Sequence, residues 1–126
     1  MPVEGIGGIF FRAKDPAALT AWYKDNLGVG AGCGAEEGFE ADEWTWTTKG
    51  GPVVFAPFAA DSDYFPMEKA FMLNLRVSDL DGVIARLRAA EIEVITNPEW
   101  DGAGMGRFAR VYDPEGNAIE LWEPAE

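Results

Sequence analysis

The sequence has no histidine in its 126 residues and a single cysteine, Cys33. Without imidazole, Ser-His-Asp and Cys-His nucleophile systems are excluded, and so is every histidine-ligated metal site. One cysteine cannot form an internal disulfide, and a lone thiol suits a reducing compartment, so a cytoplasmic location is expected. Basic residues are also scarce. Ten Lys and Arg stand against 22 Asp and Glu, a formal net charge of −12. That balance speaks against nucleic acid and anionic membranes as partners, since both demand a basic surface. No apolar run approaches the ~20 residues of a membrane span. Met-Pro-Val-Glu-Gly at the N-terminus lacks the basic and apolar regions of a signal peptide.

What is present is apolar bulk: 48% hydrophobic and 13% aromatic residues, enough for one packed core at this length. The strongest organisational signal is internal. Ile9-Phe10-Phe11-Arg12-Ala13-Lys14-Asp15 lies over Leu73-Asn74-Leu75-Arg76-Val77-Ser78-Asp79 at an offset of 64, about half the chain. A period of that length implies a duplicated supersecondary unit. In each copy a strand runs into a helix. Asp15 is an N-cap with Pro16 at the first helical position, and Gly28 stops the helix after Leu27. Asp79 caps the second, where Leu80, Val83, Ile84 and Leu87 keep helical spacing. Extended segments follow: around Gly38–Glu40, Glu43–Thr48 and Pro52–Phe58, then Ile92–Thr96, Arg107–Tyr112 and Asn117–Glu123. Lys49-Gly50-Gly51 and Asp113-Pro114-Glu115-Gly116-Asn117 are turn sequences that join two hairpins. The pattern predicts an α+β domain spanning 1–126, made of two βαβββ modules at about 1–58 and 71–126. Residues 59–70 join them, either as a flap or as a solvated linker.

Strand alternation then sorts side chains by face. Phe71, Leu73, Leu75 and Val77 form one apolar face, with Ile9, Phe11, Ala109, Val111, Ile119 and Leu121 in the equivalent positions against the helices. The opposite faces carry Phe10, Arg12, Met72, Asn74, Arg76, Phe108, Arg110, Tyr112, Glu120 and Trp122. Trp44 and Trp46 share one face of their strand and are placed with this set, because Thr45 and Thr47 make a poor core face. Dry, unpaired arginines would cost several kcal/mol each. Water, an Arg76–Glu120 or Arg110–Glu120 ion pair, or an anionic ligand must therefore complete this surface. The glycine runs 28–34 and 102–106 lack the spacing of phosphate-binding loops and are read as loops only.

The strand–Asp motifs, the helix Ala21-Trp22-Tyr23-Lys24-Asp25-Asn26-Leu27-Gly28 and the ending Asp113-Pro114-Glu115-Gly116-Asn117-Ala118-Ile119-Glu120-Leu121-Trp122 resemble the vicinal oxygen chelate superfamily. That superfamily includes glyoxalase-type lyases, extradiol dioxygenases, acyl-CoA epimerases, and bleomycin- and fosfomycin-resistance proteins. The resemblance implies a curved mixed sheet around a U-shaped cleft, helices on its outer face, a homodimer, and a metal held by one residue from each of four strands. Carried onto this chain, those four positions fall on Gly8, Met72, Glu120, and Val54 or Ala56. One ligand of four remains, so no catalytic metal or other cofactor is expected.

The leading expectation is a glyoxalase/bleomycin-resistance-like protein that binds a small anionic or aromatic organic molecule in the cleft without a catalytic metal. Arg12, Arg76 and Arg110 would supply charge-assisted hydrogen bonds, and the aromatics would supply apolar contact. An alternative is a glyoxalase-type lyase or isomerase with Glu120 as general base. A third reading is a vestigial cleft on an interaction domain.

Overall fold

The computed structural model describes residues 2–34, 44–102 and 104–125. Helix α1 spans Pro16–Leu27, strand β1 Leu73–Arg76, helix α2 Leu80–Ala89, strand β2 Gly106–Tyr112 and strand β3 Ala118–Pro124, with a 3-10 turn at Pro98–Asp101. The fold class is α+β. Both helices begin where the sequence placed them. The Asp15 carboxylate accepts from the Ala18 amide and the Asp79 carboxylate from the Gly82 amide, each satisfying a donor the first turn leaves open. Left-handed Gly28 closes α1, donating its N–H to the Lys24 carbonyl.

The strands form an unclosed mixed sheet in the order β1-β3-β2, with β3 parallel to β1 and antiparallel to β2. The turn between β2 and β3 is closed by the Asp113 amide to the Asn117 carbonyl and by the Gly116 amide to the Asp113 carbonyl. At the far end of the hairpin Gly106 pairs with Pro124. Its φ is 121°, and a Cβ there would overlap the Glu123 carbonyl oxygen, so only glycine fits.

One sheet face packs on the helices. Ala109, Val111, Ile119 and Leu121 are fully buried in one cluster with Leu19 and Tyr23 of α1, with Leu80, Ile84 and Leu87 of α2, and with Val94. Leu73, Leu75 and Val77 pack against it, as alternation predicts. Each aliphatic side chain so buried contributes about 1.5–3 kcal/mol. The helix of the first half is tied to the hairpin of the second by polar contacts. Tyr23 donates its hydroxyl to Asp113 at 2.6 Å, and the Glu115 carboxylate accepts from the Lys14 and Asp15 amides.

The first half differs from expectation. Residues 2–11, 44–48 and 52–58 carry no strand ladder, and Ile9 is exposed rather than packed inward. Gly5, Gly7 and Gly8 weaken strand propensity in the first segment, and Pro52 and Pro57 remove two ladder donors from the last. Residues 45–47 bond instead to the loop at 32–33, through Gly32 N–H to Thr45 and Thr47 N–H to Cys33. The strand expected around Gly38–Glu40, and Glu43, lie outside the described residues. In the second half, 92–96 contributes one bridge, Ile95 to Arg110, in place of a full strand.

Candidate functional site

The sheet face turned away from the helices carries Asn74, Arg110 and Glu120. Register sets Glu120 of β3 directly between Asn74 of β1 and Arg110 of β2. The adjoining row sets Trp122 between Arg76 and Phe108. Glu120 is only 8% exposed and Arg110 only 6%, although both carry formal charge. Burying such groups is costly unless their polar atoms are matched.

The expected Arg110–Glu120 or Arg76–Glu120 ion pair is not among the salt bridges of the described residues. Tyr64, from the segment joining the two halves, comes between Arg110 and Glu120. Its hydroxyl donates to Glu120 Oε2 at 2.5 Å, and its carbonyl oxygen accepts from Arg110 Nη2 at 3.0 Å. Asn74 Nδ2 donates to the other carboxylate oxygen at 2.7 Å. The Arg110 guanidinium lies 5.0 Å from the Tyr64 ring centroid and 5.6 Å from that of Trp100, with Nη1 3.5 Å from the Tyr112 hydroxyl. Such cation–π contacts contribute on the order of 0.5–2 kcal/mol each, more as water is excluded. Among the described residues the buried Arg110 Nε has no hydrogen-bond partner. Burial, and then the hydrogen bond to Glu120, push the Tyr64 phenol from 10.0 to about 12, so it donates as a neutral group at neutral pH.

The structure brings together part of the residue set read from sequence. Asn74, Arg110, Tyr112 and Glu120 converge, and Phe108 stacks on Trp122 at 6.3 Å and 5° between planes. The indole N–H of Trp122 donates to the Met105 carbonyl. Met72 is half-buried. Arg76 turns elsewhere, donating to the Lys49 and Pro52 carbonyls at 2.8 Å each. A Cβ on Gly51 would lie 2.9 Å from the Arg76 Cζ, so a larger residue there would push the guanidinium aside. The first-half residues do not join the row: Phe10 is 98% exposed, Trp44 is 81% exposed, and Arg12 and Trp46 are also at the surface.

Sequence reasoning missed Tyr64 and Trp100. The available signal was the adjacent pair Tyr64-Phe65, two aromatics in a segment that a purely solvated linker would keep polar. Trp100 had no local signal, because only the 3-10 turn carries it to Arg110. A hollow of about 430 Å³ lies between Lys14, Asp15 and Glu115, and one of about 230 Å³ lies along the joining segment between Phe58 and Ala70.

A family model described as Glyoxalase/Bleomycin resistance protein/Dioxygenase superfamily matches residues 5–121. The chain belongs to this superfamily. Its fold is shared with TnmS3, an antibiotic binding protein from Streptomyces sp. CB03234, at 21% identity, TM-score 0.59 and 99% coverage of both chains. A glyoxalase/bleomycin resistance protein from Streptomyces sp. CB03234 matches at 22% identity and TM-score 0.47, over 87% of this chain and 92% of that one. No curated protein matches the chain.

The metal that the superfamily resemblance implies does not fit these residues. Gly8 offers no side chain, Val54 and Ala56 are hydrocarbon, Met72 is a thioether, and both Glu120 oxygens are engaged by Asn74 and Tyr64. Among the described residues no three of His, Cys, Asp and Glu converge. A divalent transition metal generally needs about three such ligands. Nor does any helix of the described residues have the length and apolarity to cross a membrane.

Proposed function

We propose that this superfamily member binds a small aromatic or anionic organic molecule on the sheet face around Arg110 and Glu120, without a catalytic metal. The observation that carries this reading is Arg110. A guanidinium buried to 6% exposure, with an orphaned Nε and the Tyr64 and Trp100 rings against it, is a recognition group whose hydrogen-bonding capacity is not used up by the described residues. The antibiotic-binding description of TnmS3, which shares the fold, supports small-molecule binding as the class of function. The test is a calorimetric and thermal-shift screen of aromatic acids and phenols, run with elemental analysis of protein purified without chelator. Stabilisation by at least one class, lost in Arg110→Gln, with no stoichiometric metal, is the expected outcome. Stoichiometric zinc, nickel, manganese or iron, or no stabilisation by any compound, would overturn the reading.

A second reading has its own support. Glu120 is a buried carboxylate beside a buried guanidinium, which is a base next to a group able to stabilise an enolate. A glyoxalase-type lyase or isomerase would lose turnover in Glu120→Gln while keeping ligand affinity, whereas a pure binder would show no turnover in either form.

The functional unit we propose is a cytoplasmic homodimer of chains each built from two modules. Phe10, Trp44 and Phe55 are 98%, 81% and 84% exposed, and with Val3, Val53 and Val54 they lie in segments that no strand of the described residues pairs. Soluble monomers rarely leave that much apolar surface and open backbone uncovered, and a second copy supplies both strand edges and an apolar face. Light scattering after size exclusion should give twice the 13.7 kDa chain mass. A monomer at micromolar concentration would refute this assembly.

A further inference from the structure

We infer that the ligand this face is built for is a neutral hydroxylated aromatic, and that Tyr64 stands in its place in the free protein. The inference rests on the binding reading above and narrows its ligand class.

Tyr64 presents three chemical features to the sheet. Its hydroxyl donates to Glu120 Oε2, its ring lies under the Arg110 guanidinium, and its carbonyl oxygen accepts from Arg110 Nη2. Asn74 already serves the other Glu120 oxygen, so what the carboxylate lacks without Tyr64 is one donor. An O–H on an aromatic ring supplies that donor and the ring together. A ligand carboxylate does not, because it would bring a second negative charge against Glu120, and Arg110, the one cation of this row, already balances the first. The preference is therefore for a neutral donor over an anion. Arg110 Nε adds an independent requirement. This buried donor goes unanswered by Tyr64, so an aromatic that also carries an acceptor satisfies more of the site than Tyr64 does.

The segment carrying Tyr64 is able to yield. Residues 59–70 contain no helix or strand. Their local order comes from two backbone turn bonds, Ser62 N–H to Ala59 and Lys69 N–H to Pro66, and from Tyr64 N–H to Ser62 Oγ at 3.3 Å. Phe58 against the Tyr64 and Phe65 rings, and Lys69 Nζ to the Glu115 carbonyl at 3.1 Å, add to it. The hollow of about 230 Å³ lies along the same segment, between Phe58 and Ala70. Few buried contacts and an adjacent void mark a stretch of low local stability.

The experiment titrates p-cresol, toluene and p-toluate into wild type, Tyr64→Ala and Tyr64→Phe, with circular dichroism to verify folding and chemical shifts to report binding. Tyr64→Ala should bind p-cresol at least about tenfold more tightly than toluene or p-toluate, the size of effect expected for one hydrogen bond to a charged group. Adding Glu120→Gln should erase that preference. Tyr64→Phe, which keeps the ring but gives up the donor, should bind p-cresol about tenfold more tightly than wild type does. Binding of p-toluate equal to or stronger than p-cresol would overturn the phenol inference and leave the pocket reading standing. A p-cresol preference that survives Glu120→Gln would also overturn it. Folded Tyr64→Ala and Tyr64→Phe proteins that bind none of the three probes would sink both.

Discussion

Replacing Tyr23 by Phe deletes one oxygen from a buried hub and leaves the packing nearly intact. Asp113 is 4% exposed and accepts four hydrogen bonds: from the Tyr23 hydroxyl at 2.6 Å, the Glu115 amide at 2.8 Å, the Asn117 amide at 3.0 Å and Asn117 Nδ2 at 2.8 Å. Three of these arise within the turn itself. The fourth is the side-chain bond that ties α1 of the first half to the β2–β3 hairpin of the second. A hydrogen bond to a charged group contributes about 1.5–3 kcal/mol, and the three remaining donors keep the carboxylate from being orphaned. A loss of about 2 kcal/mol is expected, or roughly 6–10 °C in Tm for a chain of this length. Urea denaturation followed by tryptophan fluorescence, at fixed protein concentration, measures it. In an Asp113→Asn background the loss should shrink to about 1 kcal/mol, because the acceptor is no longer charged. Burial, and then the bond to Asp113, push the Tyr23 phenol upward. Its contribution is therefore complete below the ordinary tyrosine range and is lost only as pH climbs through the raised value, so the deficit should be constant across neutral pH. A Tyr23→Phe protein within about 0.5 kcal/mol of wild type would refute the idea that this bond joins the halves.

Leu121→Ala, at a fully buried position facing both helices, should cost about 2–5 kcal/mol by the same denaturation assay, since the site is walled by sheet and helix and collapses poorly. Tyr64 rises from 10.0 to about 12 on folding, so its stabilisation is full below pH 10 and lost as pH rises through 12. The stability gap between wild type and Tyr64→Phe should accordingly close across that interval in denaturation curves. Arg76→Gln removes the two bonds that hold the Lys49 and Pro52 carbonyls. Trypsin should then cut after Lys49 several-fold faster, and an unchanged rate on peptide mapping would show that the guanidinium does not anchor this loop.

Much of the fold was legible because its signals are local. Asp15, Pro16, Leu27 and Gly28 mark both ends of α1, and Asp79 marks the start of α2. Alternation sorted Ala109, Val111, Ile119 and Leu121 to the core and put Arg110 and Glu120 on the opposite face. Pairing of extended segments was less legible, since period-2 patterning does not say which strand supplies the other half of a ladder. Residues 52–58 read as a strand on composition, yet pair with no strand among the described residues, and Pro52 lies against the Arg76 side chain.

The site divides along the same line. Local composition alone determined the absence of imidazole and the arginine and aromatic character of one sheet face, because residue identity and strand alternation suffice for each, whereas the single carboxylate left among the ligand positions follows from the superfamily resemblance. Tertiary structure alone decided that Asn74, Glu120 and Arg110 form one row, that the Arg76 side chain turns to two loop carbonyls, and that Tyr64 and Trp100 lie against the Arg110 guanidinium. Those outcomes depend on register and on where a segment without secondary structure comes to rest, and contacts between groups 46 positions apart leave no periodic trace in a chain.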